Sequence, residues 1–414
     1  MKKTLSLIMA LIMIFGACSA LISCKKNDPE LEAFTGELSC EVLPIKNGAK
    51  GIVTLIHDDG DYATVSYMKT QLGSLGLTAS LAMIAKSVVD AKGNETKDAE
   101  KWKEIVKETG FDIVCHSQDH NFYGMTDKAH SGKVLHRDAN GKYTTYNYPA
   151  GNITNMTVGA AERLREVFKD SNQKVCTYAI PGLAYKEVYV GDELVDFKGG
   201  LFDEAVEILE EGFVACRYSG GSATYGDVVI KNMNDIANLN WHRLNSYATL
   251  TSGTAEEWIQ YVNDAATYGG WGIFLMHQLV NEETDYEYNV AKSKAVKLFR
   301  HISDMVDTND IWCASFTEAA LYLKEIESEA WAEVSVSGEG ISVVVYDNLD
   351  DDDLFDQPLT VKVQVLDSWG DFATVEYDGE EIKVPVNKAA DGSKYVLVDV
   401  APNKGEAIIN KVKK

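Results

Sequence analysis

The stretch "TLIHDDGDY", Thr54–Tyr62, joins an apolar run directly to a cluster of carboxylates. β-Branched and apolar residues in such a run are typical of a buried strand. Asp58, Asp59 and Gly60 are also common turn residues, so one interpretation is a plain turn at the end of that strand. The other is a strand that ends by presenting two aspartates to a functional site. The rest of the chain has to decide between these interpretations.

Short apolar runs alternate with amphipathic runs on both sides of this stretch. The runs that predict strands are Gly51–His57, Thr78–Ile84, Asp112–Cys115, Lys174–Ile180, Phe213–Arg217, Asp235–Trp241, Gly272–Met276 and Ile311–Ser315. The runs that predict helices are Thr64–Leu75, Asp98–Thr109, Val158–Asp170, Leu201–Glu211, Ala255–Tyr268, Asn289–Asp307 and Thr317–Ser328. Such alternation indicates parallel strands joined by crossover helices. A run of about seven or eight units favours a closed α/β barrel over an open sheet.

The pattern changes at Trp331, where period-two alternation begins and helical patterns end. This predicts an all-β, immunoglobulin-like sandwich over residues 331–414. Within it lies the acidic loop "DNLDDDDLFDQ", Asp347–Gln357. Its spacing does not match an EF-hand, so a solvated acidic loop is favoured over a calcium site.

The first 24 residues predict a secretory signal. "MKK" is basic, an apolar stretch follows, and "LISC", Leu21–Cys24, resembles the lipobox of bacterial lipoproteins. A retained transmembrane anchor is the alternative, because the apolar stretch is nearly long enough to span a bilayer. The lipobox implies a lipid anchor on Cys24 and a polar tether over residues 25–45. It also implies a location in the bacterial cell envelope, either periplasmic or surface-exposed.

Charge and cysteine content narrow the classes of function. The chain has 414 residues and a formal net charge of −24. This charge argues against nucleic acid and anionic membrane as direct partners, since both require basic patches. Beyond Cys18 and Cys24 the cysteines are widely spaced without a CxxC pair, which excludes a disulfide framework and a zinc ribbon. A cysteine nucleophile at Cys115 is a minor alternative, and the oligomeric state stays open.

Two further predicted strands end in residues that bind metals. "CHSQDHNF" places His116 and His120 four residues apart, a spacing at which one helical turn lets two imidazoles chelate one divalent metal. "WGIFLMHQL" places His277 at the end of a buried strand. Taken singly, each is an ordinary loop or core histidine. Because the carboxyl ends of barrel strands meet at one rim, however, we expect these histidines to lie near Asp58 and Asp59. One aspartate would bind the metal, and its neighbour would act on a water molecule.

These elements resemble the motifs of polysaccharide deacetylases of the NodB-homology type, carbohydrate esterase family four. The family's T-F-D-D-G, H-[ST]-x-x-H and L-x-H motifs correspond in order to "IHDDG" (Ile56–Gly60), "HSQDH" (His116–His120) and "LMH" (Leu275–His277). The resemblance covers Gly51–Ser328, inside a domain predicted over residues 46–328. It implies a distorted (β/α)7 barrel, which the all-β sandwich follows.

The resemblance also implies a role for each motif residue. Asp59, His116 and His120 would hold a divalent metal, with Zn²⁺ the default. Asp58 would be the general base and His277 the general acid. The implied enzyme is a metal-dependent hydrolase that removes acetyl groups from an acetylated polysaccharide by attack of an activated water. An acetylated glycan is therefore the expected partner.

The chain departs from the family at two motifs. The third motif, R-x-P-[YFW], reads "AIPG" here, with Ala179 in place of the arginine that orients the base. Arg217 or Arg243 is a candidate to substitute from another strand end. The fourth motif, which contains an aspartate, has only a vague counterpart in "NLNWHRLNS", Asn238–Ser246. The acid that would orient His277 is therefore unidentified.

Three functions stay open at this stage. The intact motifs favour the deacetylase, whereas the missing arginine favours a non-catalytic glycan-binding lipoprotein on a decayed barrel. A hydrolase of small cyclic amides is the third, and the lipoprotein signal and β module argue against it. The polar segment Asn121–Asn152 is interpreted as a substrate flap or as a disordered loop. His242 and Asp61 are reserve candidates for the base.

Overall fold

The computed structural model describes residues 38–120, 133–137, 143–147, 152–181, 187–190, 193–196, 203–218, 236, 239–337 and 340–412. The predicted signal peptide, Cys24 and most of Asn121–Asn152 lie outside these ranges. Within them, no helix combines the length and the apolar character needed to cross a membrane.

Strands and helices alternate through most of the described chain, and strands alone follow. In chain order the strands are β1 (Cys40–Val42), β2 (Gly51–Asp58), β3 (Ser80–Met83), β4 (Asp112–Cys115), β5 (Lys133–Arg137), β6 (Tyr143–Asn147), β7 (Thr177–Ala179), β8 (Glu187–Val190), β9 (Glu193–Asp196), β10 (Ala215–Tyr218), β11 (Leu244–Asn245), β12 (Tyr247–Ala248), β13 (Trp271–Met276), β14 (Gln278–Val280), β15 (Asn289–Ala291), β16 (Ile311–Cys313), β17 (Trp331–Ser337), β18 (Gly340–Tyr346), β19 (Leu359–Val365), β20 (Phe372–Tyr377), β21 (Glu380–Pro385), β22 (Asn387–Lys388), β23 (Lys394–Val400) and β24 (Glu406–Lys411). The helices are α1 (Tyr62–Ser74), α2 (Ala99–Thr109), α3 (Asn152–Met156), α4 (Val158–Val167), α5 (Asp203–Gly212), α6 (Ala255–Tyr268), α7 (Lys292–Asp307) and α8 (Phe316–Glu327).

The central sheet is a nearly closed parallel barrel with the strand order β11-β10-β7-β4-β3-β2-β13-β12. Its two end strands, β11 and β12, are consecutive in the chain and are separated only by Ser246. The Ser246 hydroxyl donates to the carbonyl of Tyr218 at 3.1 Å. Counted as one position, β11 and β12 complete a ring of seven among the described strands, and β16 adds to the amino half of β2. The predicted distorted (β/α)7 barrel is confirmed.

The opening strand β2 lies between β3 and β13 in this barrel, and all eight of its residues are buried. Val53 and Leu55 pack with apolar residues of the surrounding helices. Because side chains alternate along a strand, Thr54, Ile56 and Asp58 point to the barrel interior instead. The strand therefore delivers Asp58 to the inside of the carboxyl-terminal rim.

Helix α6 shows how the sequence encodes an element with both ends defined. Thr254 and Glu257 form a capping box, in which each side chain bonds the other's backbone N–H. Gly269 ends the helix in the left-handed region, with a φ of 66°, where glycine carries no Cβ penalty. The predicted helix Ala255–Tyr268 coincides with the observed one.

Two antiparallel sheets follow the barrel, with the orders β1-β19-β23-β22 and β17-β18-β24-β20-β21. Buried valines and isoleucines alternate along β18, β19, β23 and β24, as expected for two sheets packed face to face. The first sheet also includes β1, in which Cys40 pairs with Val363. Residues 40–42 are therefore part of the sandwich sheet rather than of the tether predicted over 25–45.

Several predicted elements differ from the observed ones at their ends by up to three residues, and two differ in type over part or all of their length. The predicted strand Asp235–Trp241 is not a strand in its described residues 236 and 239–241; the pairing strand is β11 instead. The carbonyl of Trp241 still accepts a hydrogen bond from Cys216 N at 2.7 Å, so the described part of this segment contacts β10 through a single backbone hydrogen bond rather than as a strand. The predicted helix Asn289–Asp307 begins three residues late, because Asn289–Ala291 pairs with β14.

Candidate active site

The turn after β2 brings both aspartates of the opening stretch to the rim. Asp59 and Gly60 both have positive φ, 72° and 71°, so the chain reverses sharply after Asp58. This conformation suits glycine but is uncommon for other residues, which makes Asp59 a strained position typical of functional sites. Asp61 has a separate, structural role. Its Oδ2 accepts from Thr64 N at 3.0 Å and caps α1, which argues against Asp61 as a base.

His116 and His120 follow β4 and also depend on left-handed backbone. Ser117 and His120 have φ of 60° and 68°, and the segment forms turns rather than the helical turn that the spacing predicted. The two imidazole rings nevertheless come together, with centroids 4.9 Å apart. The spacing predicted the proximity of the rings, but the predicted backbone geometry was wrong.

Asp59, His116 and His120 form a cluster with metal-ligand spacing. Asp59 Oδ1 lies 3.0 Å from His120 Nε2 and 3.4 Å from His116 Nε2. In the described part of the chain, these three are the only group of three or more His, Cys, Asp or Glu side chains whose ligand atoms all lie within 4.8 Å of one another. The burial of Asp59 opposes its ionisation, but the two imidazoles outweigh burial and hold the pKa of its carboxyl well below its usual range.

The hydrogen bonds around this cluster fit a bound cation. His116 Nδ1 lies 2.8 Å from the carbonyl oxygen of Ala179, which can only accept, so Nδ1 carries the proton and Nε2 is left as a lone-pair donor. His116 Nε2 and Asp59 Oδ1 are buried, and neither makes a hydrogen bond of acceptable geometry to the described residues. Two imidazoles and one carboxylate form a donor set suited to Zn²⁺ and similar divalent ions.

Asp58 is held by an arginine from a different strand. Arg217 Nη2 at the end of β10 donates to Asp58 Oδ2 at 2.6 Å, and both side chains are buried. Arg217 is the direct register partner of Ala179 on the neighbouring strand β7. The guanidinium thus comes from the neighbouring strand β10, at the same register level as Ala179, the position at which the expected arginine is missing. Arg243 lies instead over Tyr218, 5.5 Å from its ring centroid.

The second carboxylate oxygen of Asp58, Oδ1, is placed to act as a proton acceptor. Asp58 Oδ1 is buried and has no hydrogen-bond partner among the described residues. Asp58 Oδ2 lies 3.8 Å from His116 Nε2, so the carboxylate borders the metal cluster. A carboxylate with one oxygen hydrogen-bonded and the other without a partner among the described residues is suited to accept a proton from a water molecule at the metal site.

His277 completes the rim, at the end of β13. Its Nε2 lies 3.8 Å from Asp59 Oδ2. Burial lowers the pKa of His277, and the charges of Asp58 and Asp59 oppose that shift. Its Nδ1 is buried, and no group in the described ranges hydrogen-bonds to it. The acid that would orient this imidazole is thus not present among the described residues.

One buried histidine next to the site carried no prediction. His57 is fully buried, and both ring nitrogens lack a hydrogen-bond partner in the described structure. Burial, followed by the proximity of His277, lowers the pKa of His57 to about 4. Its position inside "IHDDG", where the family has phenylalanine, was the available signal.

The reserve candidates have other roles. His242 Nε2 lies 2.9 Å from the carbonyl of Phe213, which precedes β10 and so lies at the opposite end of the barrel from the rim. Cys115 is fully buried, and burial raises the pKa of its thiol to about 12, which leaves no thiolate for nucleophilic attack. Neither residue belongs to the site.

The chain was compared with known proteins. No model of a known protein family matches it. The solved structures that it resembles include family 4 carbohydrate esterases. The Xyl-CE4 domain of a multidomain xylanase from the hindgut metagenome of Trinervitermes trinervoides has 14% sequence identity and a TM-score of 0.33, over 65% of this chain and 89% of that domain.

Two further neighbours have the same level of similarity. A family 4 carbohydrate esterase from Streptomyces lividans in complex with acetate has 11% identity and a TM-score of 0.34, over 66% of this chain and 95% of its own. A family 4 pseudoenzyme from Bacillus anthracis has 13% identity and a TM-score of 0.34, over 65% of each chain. Among curated proteins, a gellan lyase from Bacillus sp. is 31% identical over 149 residues. That match covers 35% of this chain and only 6% of the lyase.

Proposed function

We propose that the protein is a metal-dependent deacetylase of acetylated polysaccharides. The observation that carries this proposal is the placement of three distinct functions at one rim. These are a His–His–Asp cluster with metal-ligand spacing, an arginine-anchored carboxylate beside it, and a histidine at the end of the neighbouring strand β13. Asp59, His116 and His120 would hold the metal, with Zn²⁺ the expected ion.

The division of labour follows from the contacts. The metal, when bound, would polarise the acetyl carbonyl and make a nearby water more acidic. Asp58 Oδ1 takes one proton from that water as its oxygen attacks the carbonyl carbon. Arg217 orients the carboxylate through Oδ2. As the bond from the carbonyl carbon to the sugar nitrogen or oxygen breaks, the electron pair stays on the leaving atom, which takes a proton from the protonated His277. Asp58 then returns its proton to solvent and His277 takes one up.

A non-catalytic glycan-binding protein is the second candidate. One observation favours it: His277 Nδ1 has no orienting acceptor within the described residues. A general acid whose ring is not held in one orientation and tautomer would be less efficient. The Arg217–Asp58 pair argues the other way, because the loss of the usual arginine is compensated.

Acetate release decides between the two candidates. The zinc-loaded protein is incubated with N-acetylated chitin oligomers, acetylated peptidoglycan fragments and O-acetylated xylan, and acetate is measured. We expect release from at least one substrate and its loss after removal of the metal by chelation. A protein that binds zinc but releases acetate from none of them would contradict the deacetylase and support the binding protein.

The location of the protein belongs to the same proposal. The basic start and the lipobox at Leu21–Cys24 support a lipid anchor on Cys24 in the bacterial cell envelope. Metabolic labelling with a palmitate analogue, compared between the parent and Cys24→Ala, tests it. Equal labelling of both proteins would contradict the anchor.

A further inference from the structure

We infer that Tyr286 and Tyr288 form a rigid aromatic subsite that binds a sugar ring of the substrate beside the acetyl group. The inference rests on the proposed function, since that function is what places a glycan at this rim. Neither residue belongs to a motif, and the segment that carries them, residues 281–288 between β14 and β15, had no assigned role.

The two tyrosine rings form a row that starts at His277. The Tyr288 ring centroid lies 4.4 Å from that of His277, and the Tyr286 centroid lies 5.5 Å from that of Tyr288. His277 in turn contacts Asp59 at 3.8 Å. The row therefore begins beside the candidate metal site, which places an aromatic surface near any group bound there.

Exposure increases along the row. Tyr288 is half-buried, and burial raises the pKa of its phenol to about 12, so the hydroxyl stays neutral. Tyr286 is 51% exposed, an unusual level for a large aromatic side chain, and it is one ring contact removed from His277. An exposed aromatic surface beside a polar catalytic centre is a common feature of ligand sites, because it buries apolar ligand surface without demanding hydrogen bonds.

The backbone around Tyr286 is fixed on both sides. Thr251 Oγ1 donates to the Tyr286 carbonyl at 2.9 Å, and Thr251 N donates to the Glu287 carbonyl at 2.7 Å. Thr284 Oγ1 accepts from Tyr286 N at 3.3 Å and from Asn289 Nδ2 at 2.8 Å. The backbone of the aromatic subsite is thus ordered before any ligand binds, and ligand binding costs little conformational entropy.

The segment is also tied to α7. Lys294 Nζ pairs with Glu283 at 2.7 Å and donates to the carbonyls of Thr251 and Gly253 at 2.8 and 2.9 Å. Lys294 thus bonds the segment directly at Glu283 and also holds Thr251, the residue that bonds the backbone of Tyr286 and Glu287. The ring faces of a pyranose carry C–H groups that stack on such a fixed aromatic surface, whereas its hydroxyls remain available to polar groups and water. A sugar ring is therefore the ligand whose chemistry matches an exposed tyrosine, Tyr286, backed by the half-buried Tyr288.

The test compares three variants by direct binding, with metal removed so that no turnover occurs. N-Acetylchitohexaose and O-acetylated xylohexaose are titrated into the full chain by calorimetry. We expect Tyr286→Ala to weaken binding of the oligosaccharide that the parent binds by about tenfold, the loss expected when a central aromatic contact is truncated. Tyr286→Phe keeps the ring and should stay within about twofold. Tyr268→Ala is the matched control, because Tyr268 is 53% exposed at the opposite end of the barrel.

The outcomes separate this inference from the proposed function. If Tyr286→Ala binds as tightly as the parent, or if the parent binds neither oligosaccharide, the inference of a sugar-binding aromatic subsite is wrong. If binding depends on Tyr286 but no acetate is released by the metal-loaded parent, the aromatic subsite is supported and the deacetylase proposal is contradicted. In the active protein, Tyr286→Ala should raise KM for the oligosaccharide more than it lowers kcat, which a merely structural role would not produce.

Discussion

Arg217 on β10 reaches Asp58 on β2 with a hydrogen bond of 2.6 Å, and it does so from the register position directly beside Ala179. Neighbouring residues in a parallel sheet point the same way, so these two positions offer alternative origins for one guanidinium at one rim. The sheet therefore allows the guanidinium that contacts Asp58 to come from either strand.

Replacement of Arg217 should therefore reduce catalysis without emptying the metal site. Arg217→Lys keeps a positive charge but loses the planar fork, and we expect acetate release to fall by about 10²-fold through misplacement of the base. Metal content should match the parent, since Arg217 contacts none of the three proposed ligands. Arg217→Lys with parental activity would show that Asp58 needs only a nearby charge, and a loss of zinc would show that the arginine supports the ligands.

The register pair offers a rescue experiment. Arg217→Ala leaves the buried Asp58 without its counter-charge, which should cost both activity and several kcal/mol of stability. Adding Ala179→Arg restores a guanidinium at the neighbouring position. We expect the double variant to regain a measurable part of the lost melting temperature and acetate release. If the double variant is worse than Arg217→Ala in both measurements, the two positions are not equivalent origins.

Variants of the two aspartates of the opening stretch, Asp59→Ala and Asp58→Asn, should differ in their metal content. Asp59→Ala removes a ligand, so zinc and activity should be lost together. Asp58→Asn keeps the shape but cannot take the proton from water, so zinc should remain and the rate should fall by roughly 10²–10⁴-fold. His277→Ala should resemble Asp58→Asn. Elemental analysis beside acetate release checks all three variants, and near-full activity in Asp58→Asn would remove Asp58 as the base.

The features predicted from sequence were those with local signals. The alternation of apolar and amphipathic runs indicated the barrel, and the strand ends at Asp58, His116 and His277 indicated the site. The choice between Arg217 and Arg243 required the register of β7 and β10, which no local pattern encodes. The left-handed turn at His120 was missed for a related reason, since a non-glycine residue with positive φ gives no sequence signal.

The sandwich and the barrel should unfold together. Tyr322 on α8 donates to the Leu43 carbonyl at 2.7 Å and accepts from Thr360 N at 3.3 Å, and so links β1, the barrel and β19. Lys174 bonds the carbonyls of the acidic loop as well. A chain that ends at Ala330 loses these partners, and β1 loses β19. We expect such a truncation to be poorly soluble or to melt at least ~5 °C below the parent.

A milder variant checks the same link. Tyr322→Phe removes only the hydroxyl and leaves the Leu43 carbonyl and Thr360 N without that partner, which should cost about 1–3 kcal/mol of unfolding free energy. Two resolved melting transitions in the parent would show that the barrel and the sandwich are independent units. A truncated barrel that melts at the parental temperature would show the same.

Glu325 at this junction should make stability depend on pH. Its side chain is fully buried on α8, Oε1 accepts from Gln357 N at 2.8 Å, and Oε2 has no hydrogen-bond partner in the ranges described. Burial raises the pKa of the Glu325 carboxyl to about 9, and the nearby Asp347 adds to the shift. The folded chain therefore retains a proton here that the unfolded chain loses above its ordinary pKa of 4.5.

The sign of the effect follows from that retained proton. Below pH 4.5 both states are protonated and Glu325 adds no pH dependence; between pH 4.5 and about 9 the unfolded chain binds fewer protons, so stability falls as pH rises. The slope of unfolding free energy against pH is at most about 1.4 kcal/mol per pH unit.

Glu325→Gln keeps an acceptor for Gln357 N but cannot ionise, so the difference in unfolding free energy between this variant and the parent should grow in favour of the variant by at least ~1 kcal/mol from pH 5 to pH 8. Urea unfolding at both pH values measures the difference. Glu327→Gln, on the same helix but paired with Lys324 near the surface, is the control that should show no such growth. Parallel stability curves for the parent and Glu325→Gln would mean that Glu325 is already ionised in the folded protein at pH 8.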